Sequence, residues 1–104
     1  MNILTLSNAL GKNLSKYSIS SFRIEEEKGK VVLLTCFIGK ISIIGEVIGN
    51  HTHYTVLKDH YTITDEEKKM VEDFVWDLKC DLESLSNRYN YTYEVEFFKK
   101  EIEK

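Results

Sequence analysis

Proline is missing from this chain altogether. Its absence removes the strongest helix breaker and any proline-rich spacer, so continuous strands and helices are expected in place of linkers. Cysteine is scarce: Cys36 lies in an apolar run and Cys80 in a helical pattern. Two scattered thiols make no disulfide framework, which points to a reducing, cytoplasmic setting in the host cell. No apolar stretch approaches the roughly 18 residues needed to span a bilayer. No basic segment followed by a long apolar run marks a secretory signal, so no membrane role is expected. Basic charge is in short supply as well. The 104 residues carry 14 Lys/Arg against 17 Asp/Glu, a formal net charge of −3. Phosphate backbones are bound by basic surfaces, so direct nucleic-acid binding is not expected.

The acidic excess is uneven. Residues 1–64 hold seven Lys/Arg against five Asp/Glu, and residues 65–104 hold seven against twelve. Much of it falls in Thr64–Arg88, where Val71, Val75, Leu78, Leu82, Leu85 and Tyr89 recur at steps of three and four. That spacing predicts a long amphipathic helix with one apolar face, widened by Met70 and Phe74. Thr64 with Glu67 forms a capping-box pattern, and Asp65, Glu66 and Glu67 suit the positive end of the helix dipole. Arg88 falls in the last expected turn.

Ahead of it, Ile3, Leu6, Leu10, Leu14 and Tyr17 predict an N-terminal amphipathic helix, weakened by Gly11. Phe22 and Ile24 alternate with charge as a half-buried strand, and Glu27–Lys30 reads as a hairpin turn. Val31–Ile38 and Ile41–Ile48 are apolar at both parities, with Gly39-Lys40 turning between them and Gly45 suggesting a bulge. Gly49-Asn50 leads into His51–Leu57. Tyr91, Tyr93, Val95 and Phe97 alternate as a final strand. The whole reads as one α+β domain over residues 1–104: N-terminal helix, four-stranded antiparallel meander, long helix, C-terminal strand. The two helices could share one face of the sheet or take one each. If they share a face, the apolar strands leave uncovered surface, which predicts a homodimer or another partner.

Three groups of residues could carry function. His51 and His53 share a strand face, and with His60 they could hold a zinc ion in a structural or adaptor module. The segments His53-Tyr54-Thr55-Val56 and His60-Tyr61-Thr62-Ile63 repeat a His-x-Thr-apolar pattern that resembles the motif of two-histidine phosphoesterases. That resemblance implies His53 and His60 as acid and base on a phosphodiester and Thr55 and Thr62 as phosphate contacts. The family brings its two motifs from well-separated halves of a larger domain, whereas here a tight hairpin around Lys58-Asp59 would place all four on one face. The third group lies on the polar face of the long helix, where Trp76 sits about 140° from Val71 at 3.6 residues per turn. Glu72, Asp73, Asp77 and Glu83 surround it. Such a Trp is either covered by the fold or free to anchor an acidic, protein-binding patch. An acidic patch fits a basic partner, such as the nucleic-acid-binding surface of another protein.

In size, in its Lys/Ile/Asn/Tyr-rich composition and in lacking an enzyme motif, the chain resembles small phage and mobile-element proteins, and among them the anti-CRISPR inhibitors. The resemblance is one of class and assigns no residue. It implies a non-enzymatic inhibitor that occupies or distorts a nucleic-acid-binding surface of a Cas nuclease.

Overall fold

Three short turns organise the first half of the chain. Lys28 and Gly29 take φ values of 51° and 80°, both left-handed, as a type I′ hairpin requires. Gly39 and Gly49, at φ 59° and 63°, open the next two turns. The computed structural model describes residues 2–59, 62–86 and 90–98. Its elements run α1 (Ile3–Asn13), β1 (Ser21–Glu27), β2 (Lys30–Ile38), β3 (Ile41–Ile48), β4 (His51–Lys58), α2 (Asp65–Ser86) and β5 (Thr92–Phe97). The five strands form one sheet in sequence order; the first four make an antiparallel meander, and β5 joins β4 in parallel. The fold is α+β with the expected order of elements.

Both helices pack on the same face of the sheet. Leu6, Ala9 and Leu10 of α1 and Val71, Phe74, Val75, Leu78 and Leu82 of α2 enter one core cluster with Leu34, Cys36, Ile43, Tyr54 and Val56. Those strand residues lie in register with one another on a single side. Full burial of a Leu, Phe or Val side chain contributes about 1.5–3 kcal/mol, so this layer dominates the stability of the fold. On α2 the apolar stripe ends earlier than the spacing predicts: Leu85 is exposed, and Arg88 and Tyr89 lie outside the described residues.

The ends of the helices are capped as their sequences require. Asn2 accepts hydrogen bonds from the amides of Leu4 and Thr5 at 2.7 and 3.4 Å. Thr64 and Glu67 form a reciprocal capping box, with bonds of 2.9 and 3.1 Å. A polar seam ties α1 and the turn after it to α2. Buried Asn13 donates to Ala9 O and to Asp81 Oδ2, Lys16 and the Tyr17 hydroxyl both bond Asp77, and the Tyr17 ring stands edge-on to Phe74 at 5.4 Å.

The bulge falls elsewhere than at Gly45. Gly45 pairs in unbroken register with Leu34 on one side and Tyr54 on the other. The register of β1 with β2 shifts between Glu25 and Glu26, which face Leu33 and Val31 and leave Val32 as the extra residue. The extra residue turns Val31 inward, so Val31 and Leu34 are both buried although three positions apart. Gly45 serves a different need. A Cβ there would lie 3.0 Å from Thr52 Cγ2 and from Tyr54 Cε1, so the missing side chain makes room for the Tyr54 ring.

Candidate functional site

On the polar side of α2, Trp76 is 53% exposed. The Lys79 ammonium lies over its ring, 5.0 Å from the ring centre. The acidic residues grouped with it divide into two kinds. Glu72 and Asp73 are exposed, Asp73 facing Lys69 at 3.5 Å. Asp77 and Glu83 are half-buried and engaged within the chain. Asp77 accepts from Lys16 and Tyr17, and these bonds hold its carboxyl below the usual range. Glu83 accepts from the Tyr91 amide at 2.9 Å and from Lys79 at 3.2 Å, and its pKa is lowered by those two bonds in that order. The five residues therefore form no uniform patch: Glu72, Asp73 and Trp76 face solvent, while Asp77 and Glu83 brace the fold.

The histidines lie on the opposite side of the sheet. His51 and His53 share the outward face of β4, as their spacing requires, and their partners come from β5. His53 Nδ1 is 2.6 Å from Glu94 Oε1, and His51 Nδ1 is 2.8 Å from Thr92 Oγ1. His51 Nε2 approaches the same Glu94 oxygen at 3.6 Å. The hydrogen bond to Glu94 raises the pKa of His53, and the bond to His53 lowers that of Glu94. A hydroxyl, an imidazole and a carboxylate thus stand in line, but on an open strand surface with no wall to exclude water. The arrangement fastens the parallel strand β5 to the meander.

Among the described residues no group of three or more His, Cys, Asp and Glu side chains is arranged to hold a metal ion. His60, the third ligand expected for zinc, lies outside the described residues, as does Tyr61. The hairpin expected at Lys58-Asp59 would begin its second arm at residues 60 and 61, outside the described residues. Residues 62–64 make no strand; they lead into α2, and Ile63 is buried in the core. Among the described residues the strands beside His53 and Thr55 are β3 and β5. Of the thiols, Cys36 is buried, which pushes its pKa up to about 12, and Cys80 is exposed.

Because both helices occupy one face, no described element covers the other face of the sheet. Its rows follow from the register. One runs Glu25, Leu33, Glu46, His53, Glu94; the next runs Arg23, Thr35, Ile44, Thr55, Glu96; the third holds Ser21, Phe37, Ser42 and Leu57. A cleft of about 530 Å³ lies at the third row, between Ser42, Leu57 and Phe98 and the Gly39-Lys40 turn. A second cleft of about 570 Å³, between the start of α1 and the Gly49-Asn50 turn, is floored by Val31, Val47 and Tyr91. Among the described residues its lining holds no His, Cys, Asp or Glu.

Alternation made this open face partly legible, since β2 and β3 carry apolar residues at both parities. The missed members are Leu57, Phe98 and Glu94. They join the face through the β4–β5 register, which no local pattern reveals. Compared with protein-family models, with curated proteins and with solved structures, the chain matches none.

Proposed function

We propose that the protein is a non-enzymatic binding protein, an inhibitor whose outward α2 ridge seats on the basic surface of a nucleic-acid-binding protein. The observation that carries the reading is the exposure of Trp76 beside Glu72 and Asp73. A large aromatic left in water costs solvation and returns it on docking, and carboxylates around it select a basic counterpart. The Lys79 ammonium over the ring is a removable cover that a partner's own cation can replace. A CRISPR-Cas nuclease is the partner class this reading favours, because its guide and target channels are lined with cations.

The test is target-DNA cleavage by purified Cas nucleases with the protein added before DNA. Inhibition is expected, and Trp76→Ala with Glu72→Lys and Asp73→Lys should weaken it by at least about tenfold, the loss typical of removing an interface anchor. Asp77 and Glu83 are left intact because they hold α1 and the start of β5. Full inhibition by the triple variant refutes the α2 reading. Unimpaired cleavage by every nuclease tried removes the Cas partner.

A further inference from the structure

We propose that the open face of the sheet is a second docking surface, shaped for a basic protein segment that carries an apolar or aromatic anchor. The face lies on the side of the sheet away from α1 and α2, so the inference is independent of the α2 reading.

The face is graded from one end to the other. At one end Leu57 and Phe98 line the 530 Å³ cleft together with Ser42, Lys40, Lys58 and Asp59, Phe37 pairs with Ser42 in the same row, and Phe98 is 54% exposed. That volume lies within the range of about 300–1,000 Å³ typical of sites that enclose an apolar group. Half-buried Ile44 and Leu33 continue the apolar strip across the middle. At the other end Glu25, Glu46 and Glu94 share a row, with Glu96 in the row beside it. Arg23 and His53 are the cationic side chains among those rows. From Leu57 to His53 is four residues along β4, about 13 Å at strand rise. A segment that puts an apolar side chain into the cleft therefore meets the carboxylates with Lys or Arg placed about 13 Å away, some two and a half helical turns.

Charge selects among the possible occupants. A second copy docking through this face about a two-fold axis would set the carboxylates either against their own copies or against the partner's apolar end, and both opposing like charges and burying unpaired charges oppose association. A nucleic acid meets the same repulsion. Addition of a strand at the edges is also opposed, because β1 ends in Glu25, Glu26 and Glu27, and β5 carries Glu94 and Glu96. What remains favourable is a basic segment lying over the face.

The experiment titrates ¹⁵N-labelled protein with two synthetic amphipathic peptides that share one apolar face, one with a lysine polar face and one with glutamate. The lysine peptide should shift the amides of Leu33, Thr35, Ile44, Thr55 and Leu57, and the glutamate peptide should not. Ile44→Glu should weaken the lysine peptide by about tenfold, as loss of a central anchor does. Glu46→Lys, at an exposed position, should weaken it as well if Ile44→Glu does not fold. Trp76→Ala should bind as the wild type does, which separates this surface from α2. Absence of shifts, equal binding of the glutamate peptide, or shifts confined to α2 would overturn the proposal. So would a dimer by sedimentation that protects the same amides.

Discussion

Gly45→Ala is the substitution in which the sheet's geometry and the sequence's expectation differ most. At a bulge, an added methyl would find space. Here an ideal Cβ lies 3.0 Å from Tyr54 Cε1, 3.1 Å from Tyr54 Cδ1 and 3.0 Å from Thr52 Cγ2. Carbon pairs are at their best near 3.5–4.0 Å, so the neighbours must yield by a few tenths of an ångström. Neither can do so freely. Tyr54 is 3% exposed and stands edge-on to Tyr93 at 6.2 Å, and Thr52 is 4% exposed. Overpacking of this kind costs about 1–3 kcal/mol. Replacing glycine in a strand returns about 0.5–1 kcal/mol of backbone entropy. The net expectation is a loss of up to about 2.5 kcal/mol, centred on about 1 kcal/mol, which is roughly 4–8 °C in Tm for a domain of this size. Urea and thermal unfolding followed by far-ultraviolet circular dichroism measure it. Gly11→Ala, where a Cβ meets nothing within 4 Å, is the control and should be neutral or stabilising. Tyr54→Leu should recover part of the Gly45→Ala loss in a double-mutant cycle. A Gly45→Ala protein as stable as wild type, or strictly additive with Tyr54→Leu, would show that the Tyr54 ring does not fill the space above Gly45.

The clasp between His53 and Glu94 should make stability depend on pH in mild acid. His53 is held above its ordinary 6.5, so its contribution is complete below that value and is lost as pH rises through the folded value; Glu94 is held below 4.5, so its contribution is complete above that value and is lost as pH falls through the folded one. The clasp is therefore fullest between 4.5 and 6.5, and Glu94→Gln should lower Tm most inside that window and flatten the profile just above and just below it. Thr64→Ala removes the capping box of α2 and should cost about 1 kcal/mol in urea unfolding. A thiol reagent on the native protein should modify Cys80 quickly and reach Cys36 only on unfolding, because one is exposed and the other buried.

Where order depends on near neighbours in sequence, the chain could be read. The α2 stripe as far as Leu82, its Thr64–Glu67 cap and the turns at Gly39 and Gly49 each rest on residues at most four apart, and these formed where expected. The bulge at Val32 sits in an unbroken apolar run with no turn residue to mark it, and a strand glycine signals a bulge and a close approach alike. Asp77 was read as a free surface charge because its partners, Lys16 and Tyr17, lie some sixty positions away. The same limit concealed the His51–Thr92 and His53–Glu94 pairs, which exist only once β5 lies beside β4.

The parallel placement of β5 also bears on the order in which the molecule assembles. The meander closes through turns of a residue pair each, so its pairings carry little loop entropy and can zip in succession. β5 can find β4 only after the chain has travelled through all of α2, a far longer closure. Pulse-labelled hydrogen exchange during refolding should therefore protect the amides of β3 before those of β5. Until that last strand docks, the outer edge of β4 is bare, its backbone donors and acceptors unpaired. In that interval the protein is most open to joining the wrong neighbour, and the acidic residues of its last strand arrive together with the cover they provide.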